Sequence, residues 1–136
     1  MRALDHIGIA VRSIEERLAV YRALGLDSAG GEEVPSQKVR VAFLPLGDAR
    51  LELLEPTADD SPIAAFLAKR GEGIHHLCIA VDDVRAAMAG LRAAGFAVLS
   101  EEPQAGAHGA QVCFVHPRST GGVLIELSQP GPDGHG

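Results

Sequence analysis

The stretch Leu4-Asp5-His6-Ile7-Gly8-Ile9-Ala10-Val11 returns 70 residues later as Ile74-His75-His76-Leu77-Cys78-Ile79-Ala80-Val81. This recurrence decides the fold, because a strand-length apolar segment that comes back with its histidine in place marks an internally duplicated chain. A second echo follows, with Leu51-Glu52-Leu53 reappearing 74 residues on as Ile125-Glu126-Leu127. Each copy therefore contributes one strand with His and one with Glu, the nitrogen and oxygen donors that suit a divalent metal.

The register of the repeat holds beyond the first strand. Ser13 is placed to cap a helix with Glu16 three residues on, Ile14, Leu18 and Tyr21 recur on one helical face, and Gly25 suits the helix end. Asp83, the stripe Val84, Met88 and Leu91, and Gly95 repeat that set at the same offset of 70. After the first helix, Val39 to Leu46 and Arg50 to Glu55 read as strands meeting at a Gly47-Asp48 hairpin turn. The second copy offers Ala97 to Ser100, Gln111 to His116 and Val123 to Ser128. Residues 28–35 hold the weakest strand signal of the first copy. Each half thus reads β-α-β-β-β, an α+β chain of two tandem modules. The boundaries are about 4–56 and 74–128, within one domain over 1–128. Between them Ser61-Pro62 opens a linker helix that ends at Lys69-Arg70 before Gly71, about 61–70. Residues 129–136, rich in Gly and Pro, are expected to form a flexible tail.

The chain has 136 residues, 46% of them apolar but only 4% aromatic and none Trp, so its core must be built from Val, Ile, Leu and Ala. A formal net charge of -6 argues against nucleic acid as a partner. Cys78 and Cys113 sit in apolar runs without metal-knuckle or disulfide spacing and read as small buried hydrophobes. No stretch has membrane-spanning length, and the N-terminus enters the first strand with no leader-like segment. The expectation is a soluble cytoplasmic protein with no membrane partner.

Strand side chains alternate, so His6, Gly8 and Ala10 share one face while Ile7, Ile9 and Val11 share the other. The same division sets His76, Cys78 and Ala80 against Leu77, Ile79 and Val81. One face is bulky and suited to helix packing. The other is small apart from its histidine and leaves room beside it. Glu52 and Glu126 lie in apolar strands, where an uncompensated carboxylate is costly and a bound cation would offset that cost. A single strand histidine is ordinarily a hydrogen-bonded structural residue. Here the coincidence of both His and both Glu across the repeat points to metal ligation by His6, Glu52, His76 and Glu126. His75 faces away from His76 and reads as structural, His116 as a turn residue before Pro117, and Gly106 to Ala110 as a Gly-containing loop. No Ser-His-Asp order, Walker loop or dinucleotide fingerprint is present.

The segments Asp5-His6-Ile7-Gly8-Ile9-Ala10-Val11, Leu51-Glu52-Leu53-Leu54-Glu55-Pro56, Gly71-Glu72-Gly73-Ile74-His75-His76-Leu77 and His116-Pro117-Arg118-Ser119-Thr120-Gly121-Gly122-Val123-Leu124-Ile125-Glu126-Leu127 resemble the vicinal oxygen chelate superfamily and, within it, the methylmalonyl-CoA epimerases. The resemblance spans residues 4–128. It implies a half-barrel sheet with helices outside and a divalent ion, cobalt first and Mn2+, Ni2+ or Zn2+ as alternatives, on His6, Glu52, His76 and Glu126. It also implies a homodimer and a small-molecule CoA thioester substrate.

In such a site the C2 hydrogen of methylmalonyl-CoA lies between two carbonyl-type oxygens that a metal can chelate, and a base and an acid act on opposite faces. Glu126 is the candidate catalytic residue for one face. Val41 stands where some epimerases carry a second Glu, which leaves Glu33, Glu55 or a water for the other. Lys38, Arg40, Lys69 and Arg118 are the cations available to CoA. Competing readings are a glyoxalase-type lyase or isomerase and a non-enzymatic small-molecule-binding relative. An iron dioxygenase is disfavoured by the fourth ligand candidate, Glu52.

Overall fold

Residues 2–132 are described by the computed structural model, and in them each half runs strand, helix, then three strands. The first half comprises β1 (Ala3–Ala10), α1 (Ile14–Ala23), β2 (Gly31–Val34), β3 (Val39–Leu46) and β4 (Ala49–Pro56), and is followed by α2 (Pro62–Arg70). The second comprises β5 (Gly73–Ala80), α3 (Val84–Ala93), β6 (Gln104–Ala105), β7 (Gln111–Val115), α4 (Pro117–Thr120) and β8 (Ile125–Gln129). Contacts group the chain into two compact units, His6–His75 and Met1–Asp5 with His76–Gly136. The α+β class and the βαβββ repeat are those read from the sequence.

In the first unit the strand order is β2-β3-β4-β1, with β1 parallel to β4 and the other neighbours antiparallel. Val11, Ala42, Leu44 and Leu53 form the buried core on one face of this sheet, and Ile14, Leu18 and Tyr21 of α1 pack on them together with Ile9 and Leu51. The helical stripe and the strand alternation thus meet as periods of 3.6 and 2 require. Ser13 caps α1 by accepting the Glu16 N–H at 3.1 Å, satisfying a donor the helix cannot pair itself. Gly47, with φ +63°, opens the two-residue turn between β3 and β4, a position that disfavours a side chain. Ser61 caps α2 and Gly71 ends it.

The second unit repeats the plan with strand order β5-β8-β7-β6. Its core is Val81, Val84, Met88, Cys113, Val115 and Leu127, with Leu91 and Ile79 against it. Asp83 replaces Ser13 as the cap, accepting from Ala86 N–H at 3.1 Å. One bond is conserved in geometry but not in residue. The Glu55 Oε1 accepts the Ile14 N–H at 2.8 Å in the first unit, and Gln129 Oε1 accepts the Val84 N–H at 3.0 Å in the second. The end of each last strand thereby ties down the start of each helix.

Three expectations need correction. Ala97 to Ser100 is not a strand: only Val98 makes a bridge, to Val115, and the edge strand forms instead at Gln104–Ala105. Ala97 and Leu99 still bond the backbone of His116 and Phe114, but the Arg92 guanidinium takes the carbonyls of Ser100 and Glu101, and the pairing goes no further. The last strand begins at Ile125, not Val123, because the Thr120 hydroxyl binds the Val123 carbonyl at the end of the α4 turn. Gln129, assigned to the tail, closes β8. Gly131 also lies so close to the backbone of residues 108–109 that a β-carbon there would stand 2.6 Å from the His108 carbonyl oxygen. The remainder of the expected tail, residues 133–136, lies outside the described residues.

Candidate active site

In each unit the sheet face opposite the one packed on α1 or α3 carries one histidine and one glutamate. In the first unit β1 and β4 are paired so that Gly8 lies beside Glu52, with His6 two residues earlier on the same face. The His6 Nδ1 stands 3.2 Å from Glu52 Oε2, and both side chains are only 6% exposed. In the second unit Cys78 lies beside Glu126, and His76 Nε2 stands 2.8 Å from Glu126 Oε1. The parallel pairing of the first and last strands of each module produces both contacts. Register, not proximity in sequence, makes the pairs.

Two further features were not identified from the sequence. Arg50, on β4 two residues before Glu52 and hence on its face, donates Nε and Nη2 to Glu52 Oε2 at 2.7 and 2.6 Å. Period-two alternation would have placed it there. Phe43 lies opposite Glu52 and Phe114 opposite Glu126 in the antiparallel ladders. Phe43 carries the Arg50 guanidinium at 5.5 Å from its ring centre, and Phe114 meets the His76 ring edge-on at 5.9 Å. Each carboxylate therefore has an aromatic neighbour, which was legible as a recurrence of Phe at an offset of 71.

All four predicted ligand residues are buried, His6, Glu52 and His76 at 4–6% exposure and Glu126 at 8%. Each carboxylate is met by an imidazole, Glu52 also by a guanidinium, and no buried side-chain nitrogen or oxygen among the described residues lacks a hydrogen-bond partner. Imidazole nitrogens and carboxylate oxygens shielded from water are the donor types preferred by cobalt, nickel, zinc and manganese, and two carboxylates balance the charge of a dication. His6, His76 and Glu126 are side chains able to hold a metal ion. The donor chemistry fits such an ion.

Other candidates have different positions. Glu55 lies on the helix side, held by Ile14 N–H and by an ion pair with Arg40. His116 caps α4, its Nδ1 accepting from Arg118 N–H at 3.1 Å. His75 packs edge-on against Phe66, 5.1 Å between ring centres, as its structural assignment requires. Lys38 is paired with Asp60. A surface groove of about 690 Å³ beside α1 includes Arg12, Arg22 and Arg40, but Glu15, Glu32, Glu33 and Glu55 line it too, so it offers no net positive seat for phosphate. Cys113 faces the core, and burial, with the nearby Glu126 charge second, pushes its thiol up to about 11. It is a packing residue.

Comparison with known proteins agrees with this arrangement. The chain is 44% identical to the mitochondrial methylmalonyl-CoA epimerase of Homo sapiens over 128 residues, covering 93% of this chain and 73% of that protein. It is 44% identical to the ethylmalonyl-CoA/methylmalonyl-CoA epimerase of Cereibacter sphaeroides over 129 residues, covering 93% of this chain and 96% of that one. A solved variant of Streptomyces coelicolor methylmalonyl-CoA epimerase in complex with 2-nitronate-propionyl-CoA superposes with a TM-score of 0.89 at 39% identity, over 95% of this chain and 94% of that one. Residues 5–114 match the family model of the Glyoxalase/Bleomycin resistance protein/Dioxygenase superfamily. With its duplicated βαβββ modules and a His–Glu pair in each, the chain belongs to that superfamily.

Proposed function

We propose that the chain epimerises methylmalonyl-CoA at C2, with His6, Glu52, His76 and Glu126 as the ligands of one divalent cation. What carries the reading is the buried His–Glu pair repeated in each module, in a chain that is 44% identical over nine-tenths of its length to two relatives that bear the epimerase name. A divalent cation on these ligands supplies Lewis-acid stabilisation to negative charge on the two oxygens flanking C2. Glu126 takes the C2 proton at a carboxylate oxygen on one face of the substrate. Its burial and its 2.8 Å contact with His76 hold that oxygen in place and away from bulk water. Return of a proton from the opposite face inverts the centre. Val41 has no group to deliver it, and Glu55 is engaged at the start of α1.

Cobalt is the ion we assign first, as the resemblance to the methylmalonyl-CoA epimerases implies, and the mixed nitrogen and oxygen donor set accepts it as it accepts Mn2+, Ni2+ or Zn2+. We further propose a cytoplasmic homodimer. The leading apolar residues of β1 and β5, the repeat-equivalent Leu4 and Ile74, are exposed, which suits a covered face. No helix of the described residues is long and apolar enough to cross a membrane.

The test is turnover of one methylmalonyl-CoA epimer in deuterium oxide. Metal-replete protein should incorporate deuterium at C2 and yield both epimers, chelation should suppress this, and cobalt should restore it. Absence of exchange with the cobalt-loaded protein refutes the assignment. A Glu126→Gln variant with full exchange removes Glu126 as the base.

A further inference from the structure

We propose that Arg50 is a positioning residue that fixes Glu52 as a metal ligand. The inference rests on the metal-binding reading above and concerns a residue outside the repeated ligands. Arg50 directs two nitrogens onto one carboxylate oxygen, Glu52 Oε2, the same oxygen that faces His6. A two-point hold of this kind restricts the rotation of the carboxylate. The guanidinium is itself seated, with its carbon 5.5 Å over the Phe43 ring and its side chain only 16% exposed. Register explains the arrangement: Phe43 pairs with Glu52 across β3 and β4, and Arg50 shares the Glu52 face.

The repeat-equivalent position in the second module carries no such side chain. At the offset of 74 that relates Glu52 to Glu126, the position of Arg50 is occupied by Leu124. The repeat that keeps both ligand glutamates therefore does not keep Arg50. Outer groups that orient metal-bound carboxylates typically contribute about 10- to 100-fold in metal affinity.

The experiment titrates Co2+ into the metal-stripped full-length protein by calorimetry, with the visible spectrum of bound cobalt as a second readout, for wild type, Arg50→Leu and Arg50→Lys. Arg50→Leu reproduces the residue of the second module and should weaken cobalt binding about 10- to 100-fold. Arg50→Lys keeps the charge without the fork, and should fall between the two with an altered cobalt spectrum. An arginine with a merely structural role would lower the melting temperature and leave cobalt affinity and spectrum unchanged. Wild-type affinity or tighter binding in Arg50→Leu overturns the proposal. Should circular dichroism show that variant unfolded, wild-type affinity and spectrum in Arg50→Lys overturn it instead. A wild-type protein that binds no cobalt overturns the metal reading itself, which separates the two failures.

Discussion

Replacing Gln129 by Ala tests whether the last strand of a module holds its helix. The Gln129 side-chain Oε1 accepts the N–H of Val84, the first residue of α3, at 3.0 Å, and the Val84 side chain is fully buried. Asp83 caps Ala86, not Val84, so the variant leaves a donor in a part-buried position without its acceptor. An unpaired buried donor costs about 1–3 kcal/mol, and partial access to water places this one at about 1–2 kcal/mol. With an unfolding entropy of roughly 2 cal/mol/K per residue, a chain of this size loses about 3–7 °C of Tm.

Gln129→Glu should behave in the opposite way. It installs the residue that the first module already uses at Glu55, and a carboxylate near a helix N-terminus adds about 0.3–1 kcal/mol. Calorimetric melting and urea denaturation of the three proteins decide the matter. If Gln129→Ala lies within about 0.5 kcal/mol of wild type with an unchanged m value, the bond has no energetic role and residue 129 behaves as tail.

Two other outcomes follow from charge and burial. Glu72 accepts Arg17 through both oxygens and the Arg12 N–H, and the Arg17 hydrogen bond leads in lowering its carboxyl from 4.5 to about 2. A group depressed in the folded state stabilises fully above its unfolded value and loses that stabilisation as pH falls through the folded one. Wild type should therefore exceed Glu72→Gln by about 1 kcal/mol at neutral pH, with the gap closing between pH 4.5 and about 2 in urea titrations, and a pH-independent gap contradicts this. Cys113, buried and with its thiol at about 11, should resist iodoacetamide at pH 8 in the native protein and label on denaturation. Native labelling within minutes, read by mass spectrometry, contradicts its placement.

Much of the fold was legible because local and nonlocal signals coincided. The helix caps Ser13 and Asp83, the stripes Ile14-Leu18-Tyr21 and Val84-Met88-Leu91, and the Gly47-Asp48 turn are all short-range patterns, and each stands where the spacing put it. The four ligand candidates were legible through repetition, since the coincidence of two His and two Glu needs no knowledge of packing. The misreadings occurred where a side chain diverts backbone groups from a ladder. Arg92 draws away the carbonyls of Ser100 and Glu101, and Thr120 takes that of Val123, and neither contact leaves a periodic trace. Gln129 was misplaced because a Gly- and Pro-rich context follows it, while its partner, Val84, is distant in sequence.

The departures from exact repetition are as informative as the matches, because they change residues while keeping interactions. Glu55 and Gln129 differ in charge, yet both present an amide- or carboxylate-type oxygen to the first N–H of the following helix. Arg12 and Asp82 occupy equivalent positions with opposite charge, which on its own resembles drift. Their neighbours at the same offset, Glu72 and Arg2, are also reversed. Glu72 binds the Arg12 backbone and side chain, while Arg2 and Asp82 line one surface groove of the second unit. What the duplication preserved there is complementarity between two positions, not the identity of either. By the same criterion Arg50 and Leu124 are exceptional, since a cation that binds the ligand of one module is matched by an aliphatic residue at the equivalent position of the other. An interaction repeated with different residues is explained by folding alone. One made by a residue whose repeat equivalent cannot make it, as Arg50 makes with Glu52, is instead where the proposed chemistry of the site is to be tested.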